Sequence, residues 1–187
     1  MNRIEDDRLL FYIEHARQIR EWAALGDEVR DAAHEFLTGV YHRFEDRDDL
    51  PADAVTGSKG IDGNFPEISL HLDAWQDETG KPLTRVALSW TKRTVGLDPR
   101  SAPYLGVTTD PTTSEGKGRS DRLRAALETH RASVAAKAVN WWPAQRRIPP
   151  DITDGSIDLQ RYETELIAAL VQEWRATKAI VTNVLNP

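Results

Sequence analysis

Residues 67–91 read EISLHLDAWQDETGKPLTRVALSWT. Ile68, Leu70 and Leu72 alternate with Glu67, Ser69, His71 and Asp73. Val86, Leu88 and Trp90 alternate with Arg85, Ala87, Ser89 and Thr91 in the same way. A period of two puts each apolar set on one face of a half-buried strand. The QDETGKP between them is built of turn formers, so the spacing predicts an antiparallel hairpin. Further short strands are predicted at residues 104–109, between Pro103 and Pro111, and at residues 139–142. One face of such a sheet needs a cover, and the helices on either side of it in the chain are the available material.

Before the hairpin, apolar residues recur at three and four. Leu9, Tyr12, Ile13, Ala16, Ile19 and Ala23 make one stripe, and Val29, Ala32, Ala33, Phe36, Leu37, Val40, Tyr41 and Phe44 make a second. Gly26 can close one helix and Asp27 can cap the next, which predicts an N-terminal helix pair. Residues 45–66, EDRDDLPADAVTGSKGIDGNFP, show no periodicity and read as an acidic flexible loop. After the sheet, a helix is expected from Ser120 as N-cap, following the loop DPTTSEGKGR. A long last helix is expected over residues 158–185, lined by Tyr162, Leu166, Leu170, Trp174 and Val181. The expectation is one α+β domain over residues 1–187: a helix pair, a mostly antiparallel sheet of three to four strands, and a long C-terminal helix on that sheet.

The chain has 187 residues, 40% of them apolar, and no cysteine. That is enough to bury a core, and it leaves out disulfides and thiolate chemistry. No apolar run approaches the ~20 residues of a membrane span. The charged opening MNRIEDDRLL is unlike a secretory leader. The expected location is therefore cytoplasmic, with no membrane partner. Net charge is −6, but residues 117–150 carry eight bases against Asp121 and Glu128, a local +6. A basic stretch in an acidic chain is the footprint of a surface for anions, or of a segment that pairs with acidic helices.

Three clusters fall within or near this stretch. Gly116 to Ser120, GKGRS, offers Lys117 and Arg119 where a helix begins, a place suited to anions. It lacks the GxxxxGK spacing of a phosphate loop. Trp141 and Trp142, followed by Arg146 and Arg147, put stacking surface beside guanidinium groups. In a strand the two Trp would point to opposite faces. Lys92 and Arg93, at the end of the second hairpin strand, extend the set. Ser89 and Lys92 have SxxK spacing, but a strand turns them to opposite faces, so they are not read as catalytic. His15, His34, His42, His71 and His130 are scattered and give no metal-ligand pattern. No cofactor motif is recognised.

The segments FYIEHARQIREWAAL (11–25), VALSW (86–90), YLGV (104–107) and WWPAQRRIPPD (141–151) resemble those of uncharacterised small proteins of actinobacterial genomes and phages. The order of elements over residues 30–187 is similar to an accessory α+β domain attached to PD-(D/E)xK-type nucleases of restriction and phage-defence loci. The nuclease motif itself is missing, since Trp90 stands where an acid must precede Lys92. The resemblance implies a recognition or sensing module and carries over no catalytic residue. The expected function is non-enzymatic binding of an anionic partner by the surface of Lys92, Arg93, Lys117, Arg119, Trp141, Trp142, Arg146 and Arg147. Nucleic acid is the first expected partner and a nucleotide-like small molecule the second. The alternatives are a protein adaptor or homodimer whose acidic helices pair with the basic segment, and an enzyme of unrecognised type.

Overall fold

The computed structural model describes residues 6–60, 65–90, 102–154 and 156–185. The fold is α+β. Strands β1 (Val55–Lys59), β2 (Glu67–His71), β3 (Thr84–Ser89), β4 (Tyr104–Thr109), β5 (Lys137–Val139) and β6 (Trp142–Arg147) form a sheet in the order β1-β2-β3-β4-β6-β5. Every neighbouring pair is antiparallel. Helices α1 (Asp7–Glu45), α2 (Ser114–Ala126), α3 (Glu128–Ser133) and α4 (Leu159–Leu185) complete the described chain, with a short 3-10 turn at Asp73–Trp75.

The hairpin predicted from period-two alternation is β2–β3, with Ile68 opposite Leu88 and Leu70 opposite Val86. That apolar face continues through Leu105 and Val107 of β4 and Ala144 of β6, all fully buried. Phe36, Leu37, Val40 and Phe44 of α1 and Tyr162, Leu166, Leu170 and Trp174 of α4 join it in one core cluster. Phe36 stacks on Tyr162 at 5.3 Å, and Trp75 meets Trp174 at 5.0 Å in a tilted pair. Gly106 is required where β4 passes β6. A Cβ there would lie 2.0 Å from the Ala144 carbonyl oxygen, a clash that only glycine avoids.

Four expectations change. The two N-terminal stripes are both helical, but α1 runs through Gly26 without a break, so the expected pair is one helix of 39 residues. Glycine costs a helix only ~1 kcal/mol relative to alanine and does not by itself end one. The loop 45–66 contains β1, which pairs with β2 from Val55–His71 to Lys59–Glu67. Its sequence, VTGSK, carries no apolar alternation because it is a largely exposed edge strand. Tyr41 of α1 anchors this edge: its hydroxyl donates to the Lys59 carbonyl and accepts from the Glu67 amide at 2.7 Å. The single strand expected at 139–142 is two strands, β5 and β6, turning at Asn140 and Trp141. Among the described residues the sheet therefore has six strands and not three or four. Finally, α2 begins at Ser114, so the Gly116–Ser120 stretch lies inside a helix and is not a loop.

Candidate functional site

The site begins with the turn after β4. The Asp110 carboxylate accepts from the Thr112 hydroxyl at 2.6 Å and from the Thr112 amide at 2.9 Å. The hydroxyl bond and then the amide bond hold the Asp110 carboxyl below the usual carboxylate range. Thr113 caps α2, accepting from the Gly116 amide at 3.0 Å. Gly116 packs against the turn so closely that a Cβ would sit 2.1 Å from the Asp110 carbonyl oxygen. The glycine therefore brings the helix start onto the loop and does not cradle a phosphate. Gly116, Arg119, Ser120 and Leu123 form the buried face of α2, as spacings of three and four dictate.

Beside this helix start lies a cleft of about 430 Å³, lined by Pro111, Thr112, Lys117, Ser120, Asp121, Arg124, Asn140 and Trp141. Trp141, in the β5–β6 turn, is 46% exposed. Its carbonyl is held by the Thr109 amide and the Thr108 hydroxyl, both at 3.0 Å. Arg124 reaches the same turn and donates to the Val139 carbonyl at 2.9 Å and the Asn140 carbonyl at 3.2 Å. Two buried polar atoms have no partner here: Ser120 Oγ, on a residue only 2% exposed, and Arg124 Nε. Buried polar atoms are nearly always satisfied, so two orphans beside one cleft ask for an acceptor.

The remaining predicted residues divide. Arg146 points to the helix-covered face, where it donates to the Glu173 carboxylate of α4. The other oxygen of Glu173 meets His130 Nε2 at 2.7 Å, and Glu173 is 2% exposed. Arg146 is thus held in an internal ion pair. Arg147, on the opposite face, lies 4.3 Å over the Tyr104 ring and donates to the Ala102 carbonyl at 2.8 Å. Arg146 and Arg147 border a second cleft of about 360 Å³ with Lys137 and Tyr104. Arg119 is 6% exposed, with its Nε unpartnered. Trp142 is half-buried, its ring 6.4 Å from Tyr104. Lys92 and Arg93 lie outside the described residues.

The structure therefore brings together Lys117 and Trp141, which the sequence had placed in separate clusters. It adds Ser120, Arg124 and Asn140, which the sequence reading missed as site residues. A readable signal was DPTTSE, where cap-forming Asp and Thr precede Glu. It places the helix start near residue 114 and puts Lys117, Ser120 and Arg124 on successive turns. Among the described residues no group of three His, Asp or Glu side chains could hold a metal ion. No described helix is long and apolar enough to cross a membrane. Comparison with known protein families, curated proteins and solved structures gives no match to this chain.

Proposed function

We propose that the protein is a binding module whose cleft at the head of α2 takes a compact anion of the nucleotide class. The carrying observation is the set of unpartnered donors, Ser120 Oγ and Arg124 Nε, beside the exposed ammonium of Lys117 and the open ring of Trp141. A phosphate would accept from these donors and from the Lys117 ammonium. A planar base would stack on Trp141. Asp121, on the same wall, repels a bare anion but accepts from a ribose hydroxyl or a base amine. That favours a ligand carrying both phosphate and donor groups over free phosphate.

Binding suits the site better than catalysis. A serine nucleophile needs a base at hydrogen-bond distance, whereas Ser120 Oγ has no partner and His130 is engaged by Glu173. With Arg146 drawn into the core, the basic segment offers a local cleft and not a long phosphate track. A nucleic acid would then enter by one nucleotide, in keeping with the recognition role implied by the resemblance to defence-associated accessory domains.

The test is calorimetric titration of the protein with ADP, GDP, inorganic phosphate and a single-stranded 20-mer, followed by the same titrations of Lys117→Ala and Trp141→Ala. Nucleotide binding weakened about tenfold by each substitution supports the reading, in line with ~1.5–3 kcal/mol for a charged hydrogen bond or a stacked base. Absence of binding at millimolar nucleotide overturns it. Binding of the 20-mer alone moves the ligand to nucleic acid.

A further inference from the structure

The first seven turns of α1 stand clear of the core. Residues 7–32 span about 39 Å at 1.5 Å per residue, and Leu9, Leu10, Phe11, Tyr12, Ile13, Trp22, Leu25 and Val29 are all exposed, Trp22 at 67%. Leu9, Leu10 and Ile13 ring the tip, and the others gather toward one side. At ~100° per residue, Phe11, Tyr12, Ile19, Trp22 and Val29 lie on the side that Ala33, Phe36, Leu37 and Val40 turn to the core. Glu14, Arg17, Glu21, Glu28 and Asp31 lie on the other side. The face that packs on the domain thus continues along the arm uncovered, with Arg8, His15 and Gln18 among its apolar residues.

We infer that the arm pairs with the arm of a second copy, antiparallel. Continuity of the core-facing stripe gives the side of contact. Each domain sits on that same side at residues 33–44, so parallel arms would drive the two domains into one space. In an antiparallel pair each domain lies beyond the tip of the other arm. The tip supports this orientation. Leu9 to Ile13 are five successive apolar residues, all exposed, and a helix apolar all round needs enclosure on more than one side. Parallel tips would meet only each other. An antiparallel tip meets the partner helix and the end of the partner domain. Two strips of this length, with aromatic side chains interdigitated, reach the ~1,200 Å² of a specific interface. The cleft at the head of α2 plays no part in this pairing.

Sedimentation equilibrium of the wild-type chain at 10–100 µM (about the range of a weak to moderate dimer) is the first measurement, and a dimer is expected. A monomer or a larger assembly across that range overturns the inference. Trp22→Glu is expected to give a monomer with unchanged helical circular dichroism. If it stays dimeric, the interface lies elsewhere. Orientation is read by introduced cysteines, since the chain has none of its own. Ile19→Cys, near mid-arm, is expected to form an intermolecular disulfide, and Phe11→Cys, at the tip on the same face, is not. A ready disulfide at Phe11→Cys overturns the antiparallel order.

Discussion

Arg146 donates to the carboxylate of Glu173 across the interface between β6 and α4, and the acid it meets is among the most buried charges in the molecule. This relationship ties one of the most conspicuous basic residues of the sequence to an internal partner. A buried pair is costly to break because removing one partner strands the other charge. Arg146→Ala is expected to destabilise the fold by about 3 kcal/mol or more in urea unfolding. The double variant Arg146→Met/Glu173→Leu is expected to recover part of that loss, since His130 then lacks the oxygen it pairs with. An unchanged unfolding midpoint in Arg146→Ala, coupled to lost nucleotide binding, would instead assign Arg146 to the ligand.

Ser120 gives the opposite profile. Its hydroxyl is buried without a partner, so Ser120→Ala removes an unsatisfied group and is expected to leave apo stability equal or slightly raised. The same change should weaken nucleotide binding about tenfold. Thermal melts with and without ADP separate the two effects. A large loss of apo stability would show that the hydroxyl is satisfied in the free protein.

Two glycines make a contrasting pair. Nothing lies within 4 Å of a Cβ built on Gly26, so Gly26→Ala is expected to stabilise α1 by up to ~1 kcal/mol. Gly116→Ala places its methyl 2.1 Å from the Asp110 carbonyl oxygen. That substitution is expected to lower the melting temperature by several degrees and to weaken ligand binding by displacing the turn. Equal behaviour of the two variants would contradict the close approach at Gly116.

His71 makes stability fall in mild acid. It is buried on β2, accepts from Gln76 at 2.9 Å through Nε2, and leaves Nδ1 unpartnered. Burial lowers its pKa below the ordinary 6.5; Asp73 acts the other way and Arg85 adds to the lowering. The unfolded chain therefore takes up this proton first. The contribution is whole above about pH 6.5, declines as pH falls toward the lowered folded value, and then levels off. His71→Gln is expected to flatten this part of the stability profile between pH 7.5 and pH 5. An identical pH slope in the variant would place the titrating group elsewhere.

The hairpin, the long C-terminal helix and the apolar stripe at 33–44 were legible because burial on one face imposes a period, and period survives in sequence. β1 was not legible, because a largely exposed edge strand imposes no such alternation on VTGSK. The helix pair was misread at Gly26, where a residue compatible with a cap is carried through by the helix on both sides. The site was half legible. Lys117 and Trp141 stood out by residue type, but their meeting depends on the β5–β6 turn folding back beside α2, which no local pattern encodes. The pairing of Arg146 was not legible because its partner, Glu173, is 27 residues away, and a charge pair of that span leaves no periodic trace.

The stacking of Phe36 on Tyr162 joins the first long helix to the last. On a ribosome adding ~5–20 residues per second, Tyr162 is made about 6–25 s after Phe36. Through that interval the sheet lacks its cover from α4, and Phe36, Leu70 and Leu88 have no finished core to enter. Closing so long a loop is slow by its own entropy. The nascent chain therefore exposes apolar surface until α4 clears the exit tunnel, and substitutions in α4 should lower the yield of folded protein in cells more than their effect on equilibrium stability implies.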